Sequence, residues 1–320
     1  SGLSITEWKP VTGAIPPMDQ AAWAAEFDKY QRIPQFRLEN PDMDLAGFKQ
    51  IYWWEWSHRL LGRLIGLVWA AGFLVFLATR RIPTGWTPRL LLLGALGGLQ
   101  GAIGWWMVHS GLSGDMVRVA SYRLATHLGL AFAILGLIAW YALSLSRPEA
   151  ALLRARRAGE AKLFSMTTGL MHLAFVQILI GALVAGIDAG RMYTGWPRMG
   201  GEWIPSALWD AALGWRNFFE NPALVQFVHR MVAYLLAIFA VVVFLRGRRS
   251  PHPVTRGAYG VMIAAVAVQV FLGIMNVIHA SPLPLALAHQ LGAVALFTLI
   301  LRARHHARYP YETSVRGTIR

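Results

Sequence analysis

Seven runs of apolar residues alternate with short polar links along the chain, at about 57–78, 89–109, 123–145, 163–186, 224–245, 257–279 and 283–301. A bilayer core asks for roughly 20 apolar residues of helix, so the pattern predicts seven membrane-spanning helices. Two longer polar segments interrupt it, 1–56 and 187–223. Both are rich in Trp, Pro and Gly, as suits structured segments lying at an interface. The tail over 302–320 reads as polar and disordered towards its end.

Composition agrees with the pattern. The 320 residues are 56% hydrophobic and 14% charged, against about 25% charged in a soluble domain. The expected class is an all-α integral membrane protein. Cysteine is absent, which excludes disulfides, zinc–thiolate sites, iron–sulfur clusters and a thiol nucleophile. The opening residues read neither as a signal peptide nor as a transit peptide.

Charge gives an orientation. The links at 79–89, 146–162 and 246–256, with the tail, hold 17 Lys and Arg against Glu149, Glu160 and Glu312. The opposite side holds 11 basic against 13 acidic residues, and Arg63 and Arg230 lie inside spans. The basic side is expected to be cytoplasmic. The net charge of +14 then belongs to anionic lipid headgroups and calls for no nucleic acid. This orientation starts the chain outside, so one further span is expected before residue 1, making eight. A seven-span protein that translocates its own N-terminus is the alternative.

The spans repeat. H-R-L-L-G-R-L-I-G-L at 58–67 aligns with H-R-M-V-A-Y-L-L-A-I at 229–238, and Q-G-A-I-G-W-W-M-V at 100–108 with Q-V-F-L-G-I-M-N-V at 269–277. T-H-L-G at 126–129 aligns with A-H-Q-L-G at 288–292. The chain therefore reads as two copies of a four-helix unit, each able to hold a cofactor inside. Each half places one histidine near the outer end of its second helix and one near that of its fourth: His58 with His127, and His229 with His289. At 1.5 Å per residue their depths agree to within about 10 Å. Two imidazoles on facing helices at one depth suit a haem iron gripped from both sides. Zinc would want a third or fourth ligand, and none is duplicated. For His109, His172, His252, His279, His305 and His306 a structural role is expected, the cytoplasmic three being solvated.

Glu55 breaks the symmetry. It lies three residues before His58 and shares its helix face, where the second copy has Gln226. The two sites therefore have unequal roles, with chemistry expected at the first and electron transfer or bracing at the second. Glu55 can instead pair with Arg59 at i+4; the sequence favours chemistry. Arg59, Arg63 and Arg230 suit haem propionates, or snorkel towards headgroups. Trp53, Trp54 and Trp56 read as an interfacial belt.

Four segments carry a resemblance: E-F-D-K-Y-Q-R-I-P-Q-F, F-K-Q-I-Y-W-W-E-W-S-H-R-L-L-G-R, G-A-L-V-A-G-I-D-A-G-R-M-Y-T-G-W-P-R-M and L-A-H-Q-L-G-A. They resemble the haem A synthase family, in its alphaproteobacterial and mitochondrial branch, and the likeness spans essentially the whole chain. It implies two pseudosymmetric four-helix bundles and oxidation of the C8 methyl of haem O to a formyl, through a hydroxymethyl stage, for haem–copper oxidases.

By the same resemblance, His58 and His127 frame the substrate haem, His229 and His289 ligate a haem b, and Glu55 is the catalytic candidate. The implied organisation is an outer segment (1–56), a substrate half-bundle (57–145), a cytoplasmic linker (146–162), a haem b bundle (163–301, with outer loop 187–223) and a tail (302–320). It places the chain in a bacterial inner membrane with its haem sites towards the periplasm. Implied partners are a haem O synthase as substrate donor, an electron donor such as a ferredoxin, terminal oxidase assembly factors, and further copies of the chain. Other branches carry a cysteine pair in the outer loops; with no cysteine here, any thiol step is excluded, and segment 1–56 is the expected cover. On the histidines alone, a di-haem cytochrome b exchanging electrons with quinone fits equally. A transporter fits less well, since Gly/Pro-broken midplane helices are not evident.

Overall fold

A computed structural model describes residues 3–112 and 116–311. In the opening segment lie α1 (Gln20–Gln31) and α2 (Pro34–Glu39). Then come α3 (Leu45–Ala78), α4 (Thr87–Gly111), α5 (Ser121–Leu145), α6 (Glu149–Arg157), α7 (Ala161–Gly186), α8 (Ala189–Met192), α9 (Asn217–Glu220), α10 (Pro222–Gly247), α11 (Pro253–Ile278) and α12 (Leu283–Arg308). Among the described residues, seven of these helices (α3, α4, α5, α7, α10, α11 and α12) are long and apolar enough to cross a membrane. They coincide with the seven predicted spans, and among the described residues β-structure is limited to one isolated bridge, Met199 with Glu202. The chain is an all-α, multi-pass membrane protein.

Three boundaries differ from expectation, each for a local reason. Helix α3 starts at Leu45, about three turns before the apolar run. The Asp44 side chain caps it by accepting from the Gly47 N–H, and Phe48, Tyr52 and Glu55 form a buried stripe along its first turns. Helix α12 continues into the expected tail, to Arg308, because Ile300, Leu301, Ala303, His305, His306 and Ala307 are buried there. The link 146–162 contains the helix α6. Glu312 and the expected disorder over 312–320 lie outside the described residues.

The chain forms two compact units, Ser1–Leu130 and Ala131–Arg320, divided within α5. In the first, Leu3, Ile5, Trp23, Tyr30, Ile33, Phe48 and Tyr52 form a buried cluster. Its rings interlock edge to face or tilted, Trp23 on Tyr52 at 5.0 Å, Phe27 on Phe48 at 5.1 Å and Tyr30 on Phe48 at 5.3 Å. Apolar residues of segment 3–44 thus give the unit its core, and hold that segment on the first turns of α3. Glu7 pairs with Lys9 at 2.8 Å and Lys29 at 2.9 Å. Lys9 first, then Lys29, hold its carboxyl below the usual carboxylate range. The contribution of this partly exposed cluster is present above the ordinary carboxylate range and is lost as pH falls through the lowered value. Lower in the same unit, Trp69 of α3 lies against Gly94 of α4 and donates to the Leu90 carbonyl at 3.2 Å.

The second unit is a four-helix bundle in which α7, α10, α11 and α12 each pack on two neighbours, in that cyclic order. Leu163, Thr167, Leu170 and Ala174 recur at helical spacing on the buried face of α7, as Leu236, Ala240 and Val243 do on α10 and Tyr259, Met262 and Val266 on α11. Lipid tails are as apolar as leucine, so close packing and interhelical hydrogen bonds hold such helices together. Thr167 Oγ1 and Tyr259 Oη supply one such bond at 2.5 Å. At the end of α10, a Cβ on Gly247 would overlap the Tyr259 ring. Gly247→Ala is therefore expected to cost roughly 1–3 kcal/mol through overpacking, read as a lower melting temperature of the detergent-solubilised protein.

Candidate functional site

His127, His229 and His289 lie in the second turn of α5, α10 and α12, and His58 lies in the fourth turn of the earlier-starting α3. In the first unit, His58 of α3 and His127 of α5 have ring centroids 6.4 Å apart and planes 71° apart. Two metal–imidazole bonds of about 2 Å, with about 1.2 Å from each nitrogen to its ring centre, span about the same distance. His58 is exposed and His127 half-buried. In the second unit, half-buried His229 of α10 and His289 of α12 lie on non-adjacent helices of the bundle, within electrostatic reach of each other. Among the described residues no cluster of three or more His, Cys, Asp or Glu is arranged around a metal position. A two-imidazole donor set suits a metal whose remaining ligands come from a macrocycle.

Each of three histidines is bracketed by the neighbouring helix in the same way. Gln100 of α4 donates its amide to the His127 carbonyl at 3.0 Å, and Gly104, one turn on, faces that imidazole's Cε1. Gln177 and Gly181 of α7 treat His229 alike, and Gln269 and Gly273 of α11 treat His289 alike, with both amide contacts again 3.0 Å. A Cβ on these glycines would approach the ring carbon to 2.9, 3.1 and 3.1 Å, in chain order. A side chain at Gly104 would force the ring to shift, and at Gly181 or Gly273 the ring would have to give by a few tenths of an ångström. The Oε1 of all three glutamines is buried without a partner, a cost of about 1–3 kcal/mol each. The sequence reading aligned Gln100 with Gln269 but gave these residues no role. The signal was there in the form Q-x-x-x-G, which recurs a third time at 177–181.

Glu55 is fully engaged. One carboxylate oxygen accepts from Ser4 Oγ at 2.6 Å and the Ile5 N–H at 3.1 Å, and the other from Arg59 at 2.6 Å. Arg59 also donates to the carbonyls of Ile5 at 2.9 Å and Glu7 at 3.1 Å. Arg230 repeats this on the carbonyls of Tyr193 at 2.9 Å and Gly195 at 2.8 Å, and Gln226, the counterpart of Glu55, donates to Tyr193 at 3.0 Å. One helical turn further, Arg63 donates to the carbonyls of Lys9 and Pro10, both at 2.8 Å, and its counterpart Tyr234 accepts from Trp196 Nε1 at 3.0 Å. Segments I-T-E-W at 5–8 and Y-T-G-W at 193–196 are therefore equivalent straps, held beside His58 and His229 by the same set of positions. Sequence comparison of the spans alone missed this second duplication.

Residues 1–301 match the family model COX15-CtaA, described as a cytochrome oxidase assembly protein. The chain belongs to this family. Curated relatives match it along its length. A Heme A synthase of Paracoccus denitrificans (strain Pd 1222) is 88% identical over 320 residues, covering 100% of this chain and 84% of that protein. One from Ruegeria sp. (strain TM1040) is 61% identical over 99% of this chain and 84% of its own length. One from Dinoroseobacter shibae is 61% identical over 100% and 83%.

The remaining site expectations divide. Arg59, Arg63 and Arg230 hold strap carbonyls, and Arg63 Nη1 and Arg230 Nε are buried with no acceptor. Trp54 is 74% exposed, as an interfacial residue would be, whereas Trp53 packs on Trp23 and Trp56. His109 and His172 are exposed, half-buried His252 occupies the N-cap position of α11 without a side-chain capping bond, and His279 donates Nδ1–H to the Met275 carbonyl at 2.8 Å. His305 and His306 are not solvated: they are 1% and 3% exposed, beneath Tyr309 and Tyr311. The continued α12 turns them into the bundle end.

Replacing Glu55 by Ala leaves Arg59 half-buried without its carboxylate and the Ile5 N–H without an acceptor, and is expected to cost about 3 kcal/mol or more. The measurable result is faster proteolytic cleavage within residues 3–20. Arg230→Ala is expected to expose 193–198 to protease in the same way.

Proposed function

We propose that this chain is a haem A synthase serving oxidase maturation, and that it oxidises the C8 methyl of haem O to a formyl through a hydroxymethyl stage. The match to relatives of that name along the full chain carries the reading, and the paired imidazoles supply a fitting donor set. His58 and His127 would hold the substrate haem O. His229 and His289 would hold a haem b, which supplies one-electron chemistry when bound. Arg63 Nη1 and Arg230 Nε, the buried donors lacking acceptors, would receive propionates.

Methyl to formyl is a four-electron oxidation of one carbon. With water as the oxygen source, R–CH3 and H2O give R–CHO, four protons and four electrons, and an external one-electron acceptor must take up those electrons. A low-potential electron donor such as a ferredoxin is needed instead if dioxygen supplies the oxygen, since its second atom must be reduced to water. The chain's own contribution is to bind, orient and move protons. The straps at 3–10 and 193–197 fix the turns that carry His58 and His229. Glu55 is the carboxylate one turn from His58, and its counterpart Gln226 has no charge to offer. A carboxylate there stabilises positive charge developing on the reacting carbon and accepts its proton. Ser4, Ile5 and Arg59 fix its direction, so a proton taken up requires one of those contacts to open.

The basic links are placed on the cytoplasmic side and the histidines on the periplasmic side. The substrate then arrives from a haem O synthase within the membrane, and the product leaves to oxidase assembly factors. In cells supplied with haem O, pigment extracted from the purified protein is expected to contain haem O, its hydroxylated form or haem A beside haem b. Haem b alone would instead mark an electron-transfer cytochrome. Glu55→Gln is expected to keep both haems and accumulate haem O; undiminished haem A in that variant would remove Glu55 from the reaction.

A further inference from the structure

The glutamine of each bracket does more than cross-link helices. Gln177 Nε2 lies 3.1 Å from Nδ1 and 3.2 Å from Nε2 of His229. For Gln100 on His127 the two distances are 3.2 and 3.4 Å, and for Gln269 on His289 they are 3.3 and 3.5 Å. A nitrogen almost equidistant from both ring nitrogens has no room in the ring plane, where it would overlap Cε1. It therefore sits over the ring face. The 3.0 Å contact to each histidine carbonyl fixes which end of the amide is the donor, because the reversed amide would set oxygen against oxygen. One N–H thus goes to the carbonyl and the second is left over the π face, an N–H···π contact. Neither in-plane position on the imidazole is taken, so each ring keeps one nitrogen for a metal. The nearby glycine leaves the ring room to adopt this pose.

We propose that Gln100, Gln177 and Gln269 are positioning residues. Each fixes the plane of its neighbouring imidazole and places the positive end of an amide N–H over it. This rests on the haem ligation proposed above. An imidazole whose face meets a positive dipole gives less electron density to its iron, so the reduced iron is favoured and the midpoint potential rises. Three independent helix pairs share the arrangement, with corresponding ring contacts agreeing to within 0.3 Å.

The test compares Gln269→Met and Gln269→Glu with the unaltered full chain, purified in detergent. Methionine keeps the length without the dipole, and glutamate puts an oxygen over the ring. The readings are haem per chain by pyridine haemochrome, midpoint potential by spectroelectrochemistry, and the g values of the low-spin ferric signal. The potential is expected to fall in the order Gln, Met, Glu. From Gln to Met the reduction equilibrium should drop threefold to tenfold, at most about 59 mV for a one-electron couple, with shifted g values. Gly273→Ala, which crowds the same ring from the backbone, is expected to move the g values while keeping the amide. Unchanged potentials and g values with haem retained would overturn the proposal, and so would potentials that do not follow the charge series. Absence of haem from the unaltered protein would instead refute the ligation reading. If Gln269→Met does not fold, the same series at Gln177 decides.

Discussion

Close approach between an imidazole and the backbone of a neighbouring helix is the constraint on which this architecture depends. Gly104, Gly181 and Gly273 each leave room beside the ring that a methyl group would crowd. The glutamine four residues earlier ties the histidine's own carbonyl to the neighbouring helix. Inside a bilayer, where buried polar groups must find partners within the protein, that bond fixes helix register and ring position together. Rigidity of the ring follows from helix packing, and the donor set follows from the rings.

A second constraint acts at the polar ends of the helices. The arginine after His58 and the one after His229 each hold two carbonyls of an extended strap, and the residue one turn earlier completes the clamp. A membrane helix bearing charge at its mouth needs something to use that charge; here two backbone straps do so. Glu55 and Gln226 are therefore alike in structure and unlike in charge. This is the asymmetry expected where one of two related sites performs a reaction and the other does not.

Much of this was legible in the residues. Hydropathy located all seven long helices because membrane spans are set by length and apolarity. The repeat of His58 and His127 in His229 and His289 named the candidate ligands. The sequence weighed Glu55 between chemistry and pairing with Arg59; the structure shows the pair, and more partners than i+4 spacing foretells, since Ser4 and Ile5 lie about fifty residues away in the chain. His305 and His306 read as solvated because a basic run looks like a tail, and only the packing of α12 buries them. The Gln–Gly brackets went unassigned because glutamine and glycine carry no chemistry of their own; their meaning lies in the ring they face. The strap duplication was hidden because only four residues carry it, two of them unchanged.

The most direct measurement is near-infrared magnetic circular dichroism of the oxidised, purified protein. A haem iron held by two imidazoles has a charge-transfer band at a characteristic position, and each of His58→Met, His127→Met, His229→Met and His289→Met is expected to shift the band of its own site alone. A preparation that binds haem but keeps an unshifted spectrum in all four variants would contradict paired histidine ligation, and with it the reading of both sites.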